Sequence, residues 1–266
     1  MKKNVFECVI VSINYSDFLA HTLPYNKSMF DRIIVVTDKN DKDTKMVCEF
    51  WNVECIQTDD VYEGGSKIPN KAIAINAGLD RLSKEGWVVQ MDADIWLPPM
   101  SRNILQNYHL DEKGLYSIDR LMCNSYKEWI DFLFVRKKPI HEGWIYLHID
   151  QFPVGTRLIQ YQGGEGYLPI GYFQLWSPEG SGIYRYPIHK SGFDRTDVLH
   201  LKQWTRENRH LIPDIVCVHL ANEKHKQGTN WQGRLTAHFG PDEVVNTQKV
   251  TNFFARCWET IRKYTF

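Results

Sequence analysis

Hydrophobic and polar positions follow two different periods along the first hundred residues. Short runs rich in Val and Ile predict four buried strands, over residues 5–13, 33–37, 53–56 and 87–91. Apolar residues spaced by three and four predict three helices between these strands, over residues 16–24, 41–51 and 68–82. Strands that alternate with helices in this way are typical of an α/β fold with a mostly parallel central sheet flanked by helices.

Polar residues and prolines mark the expected ends of these helices. Ser16 can cap the first helix, and Pro24 is expected to break it. Asp41 stands where the second helix should start. Ser66 and Pro69 stand at the start of the third helix, which has the most regular spacing of the three.

After residue 99 the pattern loosens into glycine-rich and aromatic-rich stretches. Two elements can still be predicted there, namely an apolar run over residues 215–220 that contains His219, and a terminal helix over residues 252–264. Internal repeats and low-complexity tracts are absent from the sequence. We therefore expect one domain over residues 1–266, with an aromatic-rich later half.

The 32 basic and 32 acidic side chains balance in total but not along the chain. Residues 1–120 carry 14 Lys and Arg against 18 Asp and Glu, and residues 121–266 carry 18 against 14. The small basic surplus of the later half permits an anionic ligand, but it is far from a polybasic nucleic-acid arm. The hydrophobic content of 43% excludes a disordered chain and is enough to build a core.

The sequence gives no sign of a membrane segment or a secretory leader. Its apolar runs are all much shorter than the roughly 20 residues of a membrane helix. The basic start of the chain is interrupted by Glu7, and no small-residue cleavage site follows. The six cysteines are scattered without a CxxC pair, which favours reduced, buried thiols. We expect a cytoplasmic protein that contacts no membrane, and nothing indicates a protein partner.

Two carboxylates follow at the end of the fourth predicted strand. Asp92 and Asp94 are separated by one residue, so both can project to one side and hold a divalent cation. Asp41 and Asp43 have the same spacing but lie in a polar turn, where helix-start residues are expected. Carboxylates at a buried strand end cost desolvation energy unless a metal or hydrogen-bond donors compensate, and this favours a functional site at Asp92 and Asp94.

Four blocks of the sequence resemble, in order and spacing, those of GT-A glycosyltransferases, particularly family-2-like ones. They are Val11-Ser12-Ile13-Asn14-Tyr15, Ile34-Val35-Val36-Thr37-Asp38, Asn70-Lys71-Ala72 with Asn76-Ala77-Gly78, and Met91-Asp92-Ala93-Asp94. The resemblance implies a Rossmann-like fold in which residues 1–100 bind a nucleotide diphosphosugar and residues 101–266 bind the acceptor.

The resemblance also implies roles for single residues of these blocks. Asp38 would lie near the base, Lys71 near the diphosphate, and Asp92 and Asp94 at the ribose and the metal. The implied donor site is formed by Ser12, Asn14, Tyr15, Asp38, Lys71 and Asp92. From the residues alone, Asp38 is equally suited to cap a turn, whereas Lys71 stands in a first helical turn, where its ammonium and the helix amides can share a phosphate.

A third metal ligand and a base are expected in the later half. A lone histidine in an apolar run more often packs in the core, but the resemblance implies that His219 joins Asp92 and Asp94 in binding Mn²⁺ or Mg²⁺. An inverting transferase needs a carboxylate that takes the acceptor proton, and Asp197, or else Asp194, is the candidate. Either residue could instead cap the following helix, and the adjacent acidic pair that the family often has there is missing.

Flat aromatic side chains are candidates for acceptor binding. Tyr172, Trp176 and Trp231 could stack against a sugar or a base, and they are equally suited to fill a core. Arg234 lies in a polar segment beside Trp231 and could bind a phosphate of the donor or of the acceptor, with a plain surface loop as the alternative.

The resemblance therefore implies a metal-dependent glycosyltransferase that moves a sugar from a nucleotide diphosphosugar, in this family most often a UDP-sugar, to a hydroxyl group. The segments around His219 and residues 230–234 look similar to those of phage-encoded enzymes that glycosylate 5-hydroxymethylcytosine in DNA, which implies modified DNA as one acceptor and a host cytoplasm as the location. A glycan acceptor and a non-catalytic module that binds sugar nucleotides are the alternatives. A sugar-1-phosphate nucleotidyltransferase is disfavoured because no glycine follows the first strand.

Overall fold

The computed structural model describes residues 5–62, 66, 68–136, 167–189, 195–221 and 238–241. The predicted helix over residues 252–264 and the candidates Asp194, Trp231 and Arg234 lie outside these ranges. Over the described ranges, no helix combines the length and the apolar character that crossing a membrane requires.

One sheet contains all eight strands of the described residues. They are β1 (Phe6–Val11), β2 (Arg32–Asp38), β3 (Glu54–Thr58), β4 (Trp87–Asp92), β5 (Ile95–Trp96), β6 (Leu115–Cys123), β7 (Phe173–Trp176) and β8 (Arg209–Leu220). Their order is β3-β2-β1-β4-β7-β6-β8-β5. The β1, β2, β3 and β4 ladders and the β6–β8 ladder are parallel, whereas β7 is antiparallel to β4 and β6, and β5 to β8. The predicted α/β fold class is confirmed.

Helices cover both faces of this sheet. They are α1 (Ser16–Asn26), α2 (Lys42–Phe50), α3 (Lys71–Leu79), α4 (Ser101–Asn107), α5 (Tyr126–Ile130), α6 (Pro178–Ser181) and α7 (Thr196–Leu201). Successive strand residues point to opposite faces, so Ile10 joins the core formed with α1, α2 and α4, while Val9 joins the core formed with α3 and α7. Both clusters are almost completely buried and fix the helices to the strands.

Three of the predicted helix ends differ from the structure. Ser16 is the first residue of α1 rather than its cap. Pro24 does not break the helix, which includes the proline in its last turn and runs on to Asn26. Helix α3 begins only at Lys71, because the Asn70 side chain caps it by accepting from the backbone N–H groups of residues 72 and 73. Asp41 is confirmed as the cap of α2 and accepts from Thr44 N at 3.0 Å.

Strand β8 is twice as long as the predicted apolar run. Its register against β6 shifts between Ile118, which pairs with Ile212, and Asp119, which pairs with Val216. The β8 residues between these pairs form a bulge that contains Pro213, which has no N–H to donate to a ladder. The proline and the bulge hid the first half of the strand in the sequence.

Helix α3 approaches the sheet closely at Gly78. A Cβ atom placed there would lie 2.5 Å from Val9 Cγ1, on a short β-branched side chain that cannot move aside. We predict that Gly78→Ala lowers the free energy of unfolding by about 1–3 kcal/mol in urea titrations, despite the better helix propensity of Ala. Val9→Ala should cost less in the Gly78→Ala background than alone, because it removes the clash; strictly additive costs would contradict this account.

Burial of an imidazole makes the stability of the fold depend on pH. Burial lowers the pKa of His21 to about 4, with the Asp17 carboxylate opposing the shift. The unfolded chain therefore binds a proton near pH 6.5 that the folded chain takes up only near pH 4. Stability should be complete above pH 6.5 and fall towards pH 4, by at most about 1.4 kcal/mol per pH unit for this group. His21→Phe should flatten the decline in thermal melts, and an unchanged slope would refute the assignment.

Candidate active site

The carboxyl ends of β1, β2 and β4 meet at one edge of the sheet. β1 pairs with β2 on one side and with β4 on the other, so the chain order reverses between β1 and β4. Open α/β sheets bind ligands in the crevice at such a switch point. Here the crevice lies between Ser12, which follows β1, and Asp92, the last residue of β4.

Asp92 is held by an ion pair within this crevice. Lys71 Nζ lies 2.6 Å from Asp92 Oδ1, and Gln90 Nε2 donates to the same oxygen at 3.2 Å. Burial is the largest effect on both ions; it raises the pKa of Asp92, which the Asp94 charge raises further. Burial also lowers the pKa of Lys71, but the carboxylates of Asp92, Asp197 and Asp94 raise it more, so the net shift is upward. The ammonium therefore stays charged among three carboxylates.

Asp94 and His219 meet because β5 pairs with β8. Ile95 is opposite His219, and Leu220 N donates to Asp94 O at 2.8 Å. This places His219 Nε2 3.3 Å from Asp94 Oδ1. That oxygen is buried and accepts no hydrogen bond from any residue that the structure describes. The contact is therefore close but is not aligned as a hydrogen bond.

Asp94 Oδ1 and His219 Nε2 could supply two of the ligands of a divalent cation. Adjacent ligands of an octahedral cation at about 2.1 Å lie about 3 Å apart, which is close to the observed separation of Asp94 Oδ1 and His219 Nε2. No group of three His, Cys, Asp or Glu side chains in the described ranges is arranged to hold a metal. Asp92, expected as a ligand, has one oxygen turned to Lys71 instead. Oxygens from a bound ligand or water would have to complete the shell.

Asp197 is brought to the same crevice by the short helix α7. Its Oδ2 accepts from Gly171 N at 2.8 Å and its Oδ1 from Val198 N at 2.9 Å. A Cβ atom at Gly171 would lie 2.7 Å from Asp197 Cβ, so this approach requires glycine. The Asp197 carboxylate also raises the pKa of Lys71, so the two side chains are close enough to interact electrostatically. The structure therefore brings together Lys71, Asp92, Asp94, Asp197 and His219.

Three of the residues expected to bind the donor make contacts within the protein. Ser12 is completely buried, and its N–H donates to Val36 O at 3.0 Å. Tyr15 stacks on Phe18, with ring centroids 5.1 Å apart. Asp38 is buried and adopts the turn-capping alternative, since it accepts from Asn40 N at 2.6 Å.

Asp41 has a second role that the sequence did not reveal. Besides capping α2, its Oδ2 accepts from Asn14 N at 2.7 Å and from Thr37 Oγ1 at 2.8 Å. Asn14 has a φ of 56°, in the left-handed region, so the loop after β1 turns sharply at this residue. One carboxylate thus fixes the loop that carries Asn14 and Tyr15 to the start of α2.

The aromatic candidates within the described residues take the core alternative. Tyr172 is 4% exposed, and its hydroxyl donates to Ile118 O. Trp176 has no exposed surface, and its indole N–H donates to Ile183 O at 2.8 Å. Neither presents an open face on which a sugar could stack, because each ring is packed in one of the two core clusters. Their placement does not support the expected acceptor contacts.

Two buried glutamines contact the aspartates of the crevice and were missed by the sequence analysis: Gln90 donates to the Asp92 carboxylate, and Gln174 to the backbone of Asp197. Gln90 and Gln174 face each other in the β4–β7 ladder and are completely buried. Gln174 Nε2 donates to Pro169 O at 2.6 Å and to Asp197 O at 3.3 Å, while its Oε1 accepts from Tyr186. A polar residue inside an apolar strand was the available signal, since a buried amide needs partners.

Comparison with known proteins yields similar solved structures only. No family model and no curated protein matches the chain. Glucosyl-3-phosphoglycerate synthase from Mycobacterium tuberculosis, solved with Mn²⁺, UDP and glucosyl-3-phosphoglycerate, is 15% identical, with 81% of this chain and 72% of that chain covered and a TM-score of 0.37. Mannosyl-3-phosphoglycerate synthase from Rubrobacter xylanophilus is 13% identical (82% and 68% covered, TM-score 0.42), and an active-site mutant of LgtC is 14% identical (94% and 95%, TM-score 0.40). At these levels the similarities assign neither a family nor an activity.

The Lys71–Asp92 ion pair should stabilise the fold as well as the site. The two side chains are only 16% and 28% exposed, so removing one partner leaves a poorly hydrated charge. We predict that Lys71→Met lowers the free energy of unfolding by about 1–3 kcal/mol in urea titrations. Adding Asp92→Asn should recover part of this loss, because it removes the stranded charge. If the losses in free energy of unfolding from Lys71→Met and Asp92→Asn were simply additive in the double variant, the stabilising ion pair would be contradicted.

Proposed function

We propose that this chain is a glycosyltransferase of the GT-A type that moves a sugar from a nucleotide diphosphosugar, a UDP-sugar, to a hydroxyl acceptor and depends on Mn²⁺ or Mg²⁺. The observation that carries the proposal is the buried Asp94 oxygen without a hydrogen bond, 3.3 Å from His219 Nε2, at the switch point of the sheet. The order of the four sequence blocks supports the same assignment.

In this proposal the cation is held by Asp94 and His219, with Asp92 directed to the ribose. When bound, the cation would neutralise the diphosphate and stabilise it as the leaving group. Lys71, in the first turn of α3, adds an ammonium that can bind phosphate oxygens. Its charge is maintained by the surrounding carboxylates, so it remains a cation at neutral pH.

Asp197 is the proposed base, which implies inversion at the anomeric carbon. Each of its oxygens accepts one backbone N–H and keeps a further lone pair for the acceptor hydroxyl. The two backbone contacts fix the direction of the carboxylate, so the proton of the acceptor is taken up at a defined position. Asp194, the other candidate, lies outside the described residues.

The acceptor is the part of the proposal for which the sequence left two alternatives, modified DNA and a glycan. Hydroxymethylated cytosine in duplex DNA is proposed because the segments around His219 and residues 230–234 resemble those of phage enzymes, with Trp231 and Arg234 as contacts. A glycan is the alternative. A DNA acceptor predicts binding that weakens as salt rises, since phosphate contacts release counterions. Binding to modified duplex that is absent or independent of salt would favour the glycan.

Donor hydrolysis tests the proposal directly. The protein is incubated with a panel of nucleotide sugars and Mn²⁺ or Mg²⁺, and products are read by mass spectrometry with hydroxymethylated DNA and simple glycans present. We predict that chelation abolishes turnover and that Asp94→Asn and His219→Gln each reduce it about 100-fold or more. Asp43→Asn is the matched control, because it alters the exposed aspartate of the second Asp-x-Asp and should leave turnover unchanged. Donor binding without turnover of any acceptor or water would instead indicate the non-catalytic module.

A further inference from the structure

The second nitrogen of the His219 ring contacts an arginine. Arg120 Nη1 lies 2.9 Å from His219 Nδ1. A guanidinium only donates hydrogen bonds, so Nδ1 must be the acceptor and carries no hydrogen. The hydrogen of the neutral ring is then on Nε2, the nitrogen that faces Asp94 Oδ1.

This arrangement is the reverse of the one that a metal-bound histidine needs. A cation at Nε2 requires the lone pair of that nitrogen, with the hydrogen on Nδ1. Metal-bound histidines usually donate that hydrogen to a carboxylate, a carbonyl group or water. Arg120 presents Nδ1 with a donor instead. The Arg120 contact at Nδ1 and a cation at Nε2 therefore exclude each other.

The position of Arg120 does not depend on the histidine alone. Arg120 and His219 lie on neighbouring strands, since Arg120 pairs with Cys217 in the β6–β8 ladder. Its guanidinium also lies over the Tyr172 ring, 4.6 Å from the centroid, and the Tyr172 hydroxyl is fixed to Ile118 O. This cation–π contact can persist when the hydrogen bond to Nδ1 is broken. A small movement of the guanidinium therefore releases the histidine.

We propose that Arg120 is a positioning residue that holds His219 in the tautomer unable to bind a cation, so that ligation of a divalent cation by Asp94 and His219 requires Arg120 to leave Nδ1. The inference rests on the cation site of the proposed function. It assigns to Arg120 a role that opposes loading of the site until the ring is released.

Binding of Mn²⁺ alone, followed by electron paramagnetic resonance without nucleotide, tests this role. Arg120→Met keeps an unbranched side chain over Tyr172 and removes the donor. We predict that it tightens Mn²⁺ binding about threefold or more, within the range of couplings between contacting residues. In the His219→Gln background the same substitution should give no gain. Arg32→Met, at a surface ion pair, is the control for lost positive charge and should leave affinity unchanged.

The outcomes separate this inference from the function on which it rests. Equal gains from Arg120→Met with and without His219 would show a general charge effect and overturn the inference, while the cation site would stand. Failure of every variant and of the wild type to bind Mn²⁺ would overturn both. A measurement on the unaltered protein does not depend on folding of a variant: ¹⁵N spectra of labelled histidines should show His219 protonated at Nε2 without cation, and at Nδ1 with Mg²⁺ and UDP. Protonation at Nδ1 in the cation-free protein would refute the proposal.

Discussion

The short pairing of β5 with β8 is the interaction on which the proposed site depends. It joins the segment directly after β4 to a strand from the end of the described chain, with Ile95 opposite His219 and Leu220 N bound to Asp94 O at 2.8 Å. Without it, Asp94 would be a carboxylate at a strand end with no histidine beside it. Two ladder pairs thus turn a common Asp-x-Asp spacing into a site with a defined second donor.

Each carboxylate of the crevice has contacts of its own. Asp92 is paired with Lys71, and Asp197 accepts from backbone N–H groups. The buried oxygen of Asp94 lies beside His219 and accepts no hydrogen bond from the described residues. Burial raises the pKa of Asp92, and the Lys71 ammonium opposes that rise. The ion pair therefore helps to keep Asp92 charged. Asp94 Oδ1 is thus buried without a hydrogen bond from the described residues. Burying a charged oxygen in this way costs free energy unless a ligand supplies the missing interaction.

The sequence predicted the first four strands, and the position of Asp92 and Asp94 at the end of the fourth, because these features follow from local periodicity. It could not predict what depends on contacts between distant segments. Pro213 and the bulge hid the first half of β8. The burial of Tyr172 and Trp176 depends on elements of the later half, which its loose, aromatic-rich spacing did not reveal. The contacts of His219 with Asp94 and Arg120 likewise arise only from strand register, which the residues of one segment do not determine.

A crystal structure with UDP and Mn²⁺ bound tests the central claim most directly, through the anomalous signal of manganese. The account predicts one strong peak within bonding distance of both Asp94 and His219, with diphosphate oxygens completing its shell and Arg120 withdrawn from the imidazole. A peak elsewhere in the crevice, or UDP bound with both Asp94 and His219 remote from the metal, would contradict it.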